Sequence, residues 1–245
     1  MKLSPHSAKS FVLTVLLLVF TLPAMAQNTS GVFGPEVTPG SRAFEFRTVY
    51  SPSTRERGDR FASRFHYQQS VSDNLRLRGL IIGSNRQGAG FDFDVVQFEA
   101  LYQFKEDEIN GWDSALRLDF QHGKNRPDLA GLHWTNDFKL NDRWGLRAVL
   151  LTAIQTGNQR NKGVFLQTRS SLRYRTDTGH TLQLQMFNTY GSTANFPGFN
   201  DQVHTIGPAI SGKLTQGWAF EMGALFGFSD RASNVDFRFF LSKSL

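Results

Sequence analysis

Alternation of apolar and polar residues over short segments is the feature that most constrains this fold. From Trp144 to Ile154, apolar side chains and one threonine occupy every second position. Residues 182–190 and 218–228 show the same period of two, which places the two kinds of side chain on opposite faces of an extended chain. Beyond the N-terminal region, no apolar stretch approaches the roughly 18 residues of a membrane helix. The sequence therefore predicts an all-β chain.

Twelve such segments run along the chain, each near the roughly 9 to 11 residues that a tilted strand needs to cross a bilayer. The predicted strands are residues 42–51, 60–71, 74–83, 95–104, 112–122, 132–140, 144–155, 164–175, 181–190, 203–214, 218–228 and 235–245. Connections after even-numbered strands are mostly short, and those after odd-numbered strands are longer. This layout predicts a transmembrane antiparallel up-and-down β-barrel of about 12 strands, with short periplasmic turns. Residues 105–111 depart from it as a longer, acidic turn.

A secreted β-sandwich is the alternative, because it also alternates apolar and polar residues. Against it, aromatic residues such as Tyr50, Trp144 and Trp218 lie near the ends of the apolar faces, as in the interfacial girdles of membrane barrels. The last segment, 235–245, resembles the C-terminal strand that marks outer-membrane barrels for assembly, although it ends in Leu245 rather than an aromatic residue. We therefore expect an outer-membrane location and recognition by the barrel assembly machinery.

The first 26 residues are typical of a signal peptide. Lys2 and Lys9 precede an apolar run, and Ala24-Met25-Ala26 offers small residues for cleavage. The run is too short for a membrane anchor. We therefore expect a signal peptide at 1–26, a short periplasmic lead-in at 27–41 and one barrel domain at 42–245. The chain has no cysteine, which excludes disulfides, thiolate metal sites and a lipidated N-terminal cysteine.

The strand count, the length and a basic interior resemble the small twelve-stranded porins that admit acidic oligosaccharides. The resemblance covers architecture only, since no motif of that family aligns residue by residue. It implies a channel for anionic solutes.

The predicted inward faces are rich in arginine. The candidate pore-lining residues are Arg47, Arg64, Arg76, Arg78, Arg117, Arg147, Arg169, Arg173, Arg175 and Arg238. Lys139 and Lys213 join them, and the acids predicted to face inward are fewer: Glu45, Glu99, Asp113, Asp119, Asp137, Glu221 and Asp236. A confined basic lumen concentrates anions, and an arginine fork binds carboxylate or phosphate through two hydrogen bonds.

These features predict a porin-like channel that passes small anionic solutes by diffusion. The alternative is that inward arginines pair with acids, as Arg117 with Asp119 or Arg238 with Asp236, and brace a barrel that does not conduct. Basic loops predict contact with lipopolysaccharide and outer-membrane lipid, so a structural barrel that contacts lipopolysaccharide remains open. The exported location disfavours a nucleic-acid partner, despite the net charge of +6.

An outer-membrane lipid hydrolase is the second alternative. Nucleophilic catalysis needs a serine within reach of a histidine and a third group that orients the histidine. His66 and His122 are predicted to face inward without a serine nearby in sequence, and His133 also lacks one. His204 is predicted to face lipid. No catalytic residue, metal ligand or cofactor is therefore assigned.

Overall fold

A computed structural model describes residues 29–53, 58–85, 90–107, 109–124, 126–157 and 160–245. The expected signal peptide lies outside the described residues, as do parts of the basic loops near residues 55–57, 86–87 and 125. Among the described residues, no helix combines the length and apolar character needed to cross a membrane.

Twelve antiparallel strands form one closed barrel, in which each strand pairs with its neighbours in sequence and β1 pairs with β12. The strands are β1 (Arg42–Ser51), β2 (Arg60–Ser70), β3 (Leu75–Asn85), β4 (Phe91–Lys105), β5 (Trp112–Gly123), β6 (Asp128–Lys139), β7 (Trp144–Thr156), β8 (Phe165–Arg175), β9 (Thr181–Ser192), β10 (Val203–Thr215), β11 (Trp218–Gly227) and β12 (Val235–Ser244). The predicted fold class is confirmed.

Closure depends on the last strand. Ala43 of β1 pairs with Ser244 of β12, and Tyr50 pairs with Phe237, so the ladder runs along most of both strands. The other edge of β12 pairs with β11. A closed sheet leaves no unpaired backbone edge, which a bilayer cannot tolerate.

Exposure is inverted relative to a water-soluble protein. Phe98 on β4 and Phe120 on β5 are register partners on the outer face and are 64% and 59% exposed. Their neighbours Glu99 and Asp119 point to the interior and are 6% and 3% exposed. An apolar belt outside and charges inside is the arrangement of a transmembrane barrel and excludes the β-sandwich.

Two strands begin four residues earlier than predicted. β4 starts at Phe91, after a register shift between β3 and β4 near Gly83, and β6 starts at Asp128. At the start of β6 a glycine, Gly131, holds an inward position and weakens the side-chain pattern. The ladder still forms there because backbone pairing does not depend on side-chain alternation.

Candidate functional site: the lumen and its plug

The interior of the barrel contains part of the chain itself. Residues 29–37, expected to form a lead-in on the periplasmic side, instead lie inside the lumen, and we call them the plug. Phe33 and Val37 of the plug join a buried apolar cluster with Leu101, Val149 and Leu151, which point inward from β4 and β7. The sequence offered no periodic signal for this placement, because the plug is too short and irregular to form a strand or helix.

Six arginine side chains, on six different strands, bind the plug. The pairs are Arg47 with the Thr29 carbonyl (3.4 Å), Arg64 with the Ser30 hydroxyl (3.3 Å), Arg238 with the Ser30 carbonyl, Arg169 with the Gly31 carbonyl (3.1 Å), Arg147 with the Val32 carbonyl (3.4 Å) and Arg76 with the Glu36 carbonyl (3.0 Å). An irregular segment has no ladder of its own, so its backbone acceptors need such donors.

Neutral groups hold the plug at two further points. The hydroxyl of Thr135, on β6, donates to the Phe33 carbonyl at 2.9 Å. The side-chain oxygen of Gln103, on β4, accepts from the Val37 N–H at 2.7 Å. The guanidinium of Arg117 also lies 3.7 Å from the centre of the Phe33 ring.

Glycine allows the close approach of the plug to the barrel wall. A Cβ atom added at Gly34 would lie 1.8 Å from the Glu36 carboxylate and 2.4 Å from the Arg147 guanidinium. These two groups form an ion pair at 2.5 Å. A side chain at position 34 would therefore collide with the contact that ties the plug to β7.

Several of the candidate arginines pair with acids, as the bracing alternative expected. Arg47 binds Glu45 (2.6 Å), Arg78 binds Glu99 (3.0 Å), Arg117 binds Glu99 (3.4 Å) and Asp119 (2.7 Å), and both Arg147 and Arg173 bind Asp137. The expected partners Arg238 and Asp236 do not form an ion pair. Asp236 instead accepts from the Ser51 hydroxyl at 2.5 Å.

The other five candidate arginines have no carboxylate oxygen within 4.0 Å of a guanidinium nitrogen among the described residues. Three of them, Arg64, Arg169 and Arg238, contact Ser30 or Gly31. Arg76 contacts the Glu36 carbonyl at the other end of the plug. Three of these charges therefore converge on the tip of the plug. Arg175, the last candidate, lies exposed at the end of β8.

Two cavities flank the tip of the plug, and Gly31 lines both. The first, of about 70 Å³, is lined by Arg64 and Arg169 together with Phe165, Asp119 and Gln121 among others. The second, of about 190 Å³, lies towards the chain termini beside Glu45 and Glu221. The plug tip thus lies between the two halves of the lumen.

The side chains of the described histidines contact acids, amides or a threonine. His66 and His133 face inward and bind Glu45 (3.1 Å) and Asp119 (2.9 Å). His122, predicted to face inward, is instead exposed on the outer face with Phe120, because an intervening Gln121 takes the inward position. None of their side chains contacts a serine hydroxyl. No described group of three or more acids and histidines could hold a metal ion.

His204 lies on the outer face, the side predicted, but it is only 4% exposed. Its ring contacts the side chains of Asn188 (2.8 Å) and Gln202 (2.9 Å). Phe199, from the loop before β10, stacks on the ring at 4.6 Å. The loop therefore shields this polar group from lipid, which a strand pattern alone cannot reveal.

Solved structures share this fold at low sequence identity. An outer membrane channel from Pseudomonas putida F1 has a TM-score of 0.67 and 12% identity, covering 85% of this chain and 97% of that one. The NanC porin has a TM-score of 0.64 and 10% identity, covering 82% and 100%. The KdgM porin has a TM-score of 0.57 and 12% identity, covering 83% and 99%. The predicted resemblance to small porins is thus confirmed at the level of fold.

A comparison with curated protein sequences found no match. A family profile does match, over residues 45–240, which is nearly the whole barrel. The chain is therefore an outer-membrane β-barrel of twelve strands and belongs to the family described as "Putative MetA-pathway of phenol degradation".

Proposed function

We propose that this protein is a porin-like channel of the outer membrane with a net basic lumen, which passes small anionic solutes and is closed by the plug. One observation carries the proposal: Arg64, Arg169 and Arg238 point into the lumen without a carboxylate partner. Their hydrogen bonds go to neutral groups, which are Ser30 and Gly31 of the plug and the side chains of Gln167 and Gln185. These three arginines cannot brace the barrel through ion pairs, because none of them has a carboxylate partner. Such charges in a confined space attract anions and repel cations.

The porins that share this fold support a channel function. The KdgM porin has been solved in complex with disordered oligogalacturonate, so a barrel of this architecture can hold an acidic solute. The hydrolase alternative has no such support, because the described histidines bind acids, amides or a threonine rather than a serine.

The test is the reversal potential of purified protein in a planar bilayer under a salt gradient. We expect a preference for anions, which weakens in Arg169→Glu because that change shifts the lumen charge by two units. The matched control is Arg143→Glu, in the turn before β7, where Arg143 binds the Tyr174 hydroxyl (3.0 Å) and Asp177 (2.9 Å) outside the lumen. Both contacts raise the pKa of Arg143, so this control also removes a full positive charge.

High salt should reduce the preference of the wild type, since the Debye length falls from about 10 Å at 0.1 M to about 3 Å at 1 M. A barrel that never conducts, or an Arg169→Glu variant with unchanged selectivity, would favour the bracing role or the contact with lipopolysaccharide.

A further inference from the structure

A polar network lies on the outer face of the barrel, where strands are expected to contact lipid. The Asn188 side chain donates to the Thr168 hydroxyl at 3.0 Å, and its oxygen lies 2.8 Å from a nitrogen of the His204 ring. The hydroxyls of Thr168 and Tyr190 lie 2.9 Å apart. Thr168 pairs with the exposed Leu150 of β7, so the network points outward. Polar groups that face hydrocarbon are costly, so this face needs a cover.

The loop between β9 and β10, residues 193–202, supplies the cover by folding back on the outer face. The Phe199 ring stacks on the His204 ring at 4.6 Å, and the Phe196 ring stacks on the Tyr190 ring at 6.4 Å. The free sides of Phe196 and Phe199 leave these residues 54% and 55% exposed. Exposed aromatic rings on the outer face are typical of the membrane interface, where lipid headgroups meet acyl chains.

The loop between β7 and β8 is fixed to the β9–β10 loop. The Thr193 N–H donates to the Val164 carbonyl at 2.9 Å, and the Val164 N–H donates to the Thr193 hydroxyl at 3.0 Å. The Ser192 hydroxyl donates to the Lys162 carbonyl. Gly163 has a φ of +90°, and a Cβ atom there would lie 2.4 Å from the Ser192 hydroxyl. The two loops therefore form one surface of defined shape.

This surface carries two cations without acidic partners. Arg160 and Lys162 are exposed, and among the described residues neither has a carboxylate oxygen within 4.0 Å of its side-chain nitrogens. The inward-facing Gln155 accepts a hydrogen bond at 2.7 Å from the backbone beside Arg160, so the β7–β8 loop crosses the rim of the barrel. The β9–β10 loop contains one acid, Asp201, so the described parts of the two loops carry a net positive charge. Cations thus lie at the rim beside rings that face lipid.

Both loops belong to the end of the barrel with the longer connections, which faces the outside in outer-membrane barrels. The lipid of that leaflet is lipopolysaccharide, whose lipid A part joins phosphate groups to acyl chains. Phosphate forms strong charge-assisted hydrogen bonds with arginine and lysine. Its attraction to them is less screened at the edge of the membrane than in bulk water.

We propose that the β7–β8 and β9–β10 loops form a binding site for lipid A on the outer face of the barrel. The phosphates pair with Arg160 and Lys162, and the acyl chains lie along Phe196 and Phe199. The phosphates provide the selectivity, because a ring in a membrane touches hydrocarbon whichever lipid lies beside it. The site lies outside the lumen, so it does not depend on the proposed channel.

A second copy of the chain fits this surface less well. Two copies in one membrane have the same orientation, so a twofold axis places identical residues at the same depth. Arg160 and Lys162 of both copies would then approach one another, and like charges across an interface are unfavourable.

The experiment measures lipid binding to the folded, full-length protein in neutral detergent by native mass spectrometry. The probes are lipid A, phosphatidylglycerol and inorganic phosphate. We expect the barrel to bind lipid A about tenfold or more tightly than phosphatidylglycerol, which has a single phosphate and no sugar head. Inorganic phosphate should not compete at the same concentration, because it lacks the acyl chains that hold the headgroup at the interface.

Variants of the cations locate the site. Arg160→Gln and Lys162→Gln should each weaken lipid A binding about fivefold, and the double variant roughly twenty- to thirtyfold. The matched control is Lys124→Gln, which makes the same change of charge at the same end of the barrel. Lys124 is already paired with Asp92 at 2.6 Å, so we expect its loss to leave lipid A binding unchanged. Heat-modifiable migration on a gel verifies folding of every variant.

The proposal is overturned if phosphatidylglycerol binds as tightly as lipid A or if the double variant binds like the wild type. An equal loss in Lys124→Gln also overturns it, because binding then follows net charge alone. Competition by inorganic phosphate would identify a site for free phosphate, and dimers that lipid A does not dissociate would identify a second copy as the occupant. Conductance in a bilayer free of lipid A tests the channel separately.

Discussion

The plug should open more readily when one neutral contact is removed and the charge of the lumen is left unchanged. Thr135→Val deletes the hydroxyl that donates to the Phe33 carbonyl at 2.9 Å. Valine matches threonine in shape, and Thr135 is fully buried, so the Phe33 carbonyl loses its donor without gaining water. A buried acceptor left unpaired costs about 1 to 2 kcal/mol, which shifts the ratio of open to closed plug by roughly five- to thirtyfold.

Single-channel recording in a planar bilayer measures this ratio as the fraction of time spent open. The matched control is Thr48→Val, on the outer face of β1, whose hydroxyl donates to the Ala62 carbonyl at 3.4 Å and does not touch the plug. We expect Thr135→Val to raise the open fraction with the anion preference unchanged, and Thr48→Val to behave as the wild type. An open fraction equal to that of the wild type in a folded Thr135→Val variant would refute the assignment of residues 29–37 as the gate.

Two further predictions concern the barrel itself. Deletion of residues 235–245 removes the strand that pairs with both β1 and β11. The truncated protein should therefore lose heat-modifiable migration and should not assemble in the outer membrane. A truncated form that still inserts contradicts this prediction. Arg117→Gln leaves the buried carboxylates of Glu99 and Asp119 without their shared partner. The free energy of unfolding in urea should therefore fall by about 3 to 5 kcal/mol. A fall below about 1 kcal/mol indicates that water or other arginines compensate.

The architecture could be predicted from the sequence because a strand that lies between lipid and lumen must alternate. Trp144 to Ile154 shows the pattern in full, and the strand found there runs from Trp144 to Thr156. The inward position of the arginines follows from the same period of two. The first residue of a strand is harder to predict where a glycine such as Gly131 interrupts the alternation of side chains.

The partners of the arginines could not be predicted, because they come from distant parts of the chain. Arg238 lies 208 residues from Ser30, whose carbonyl it binds, and Thr135 lies 102 residues from Phe33. No local pattern reports such contacts. The pairing of Arg147 and Arg173 through Asp137 likewise depends on three neighbouring strands in the correct register.

The sequence by itself determined the twelve-stranded membrane barrel and predicted that arginines face its interior, since both follow from the period of side chains along each strand. Only the tertiary structure decided which groups the inward arginines bind. An irregular segment such as residues 29–37 has no preferred conformation of its own, and its place is set by the donors that the closed barrel presents to it. The plug binds inside the lumen only when all twelve strands have closed. Closure is also what brings together the three arginines without a carboxylate partner around the tip of the plug.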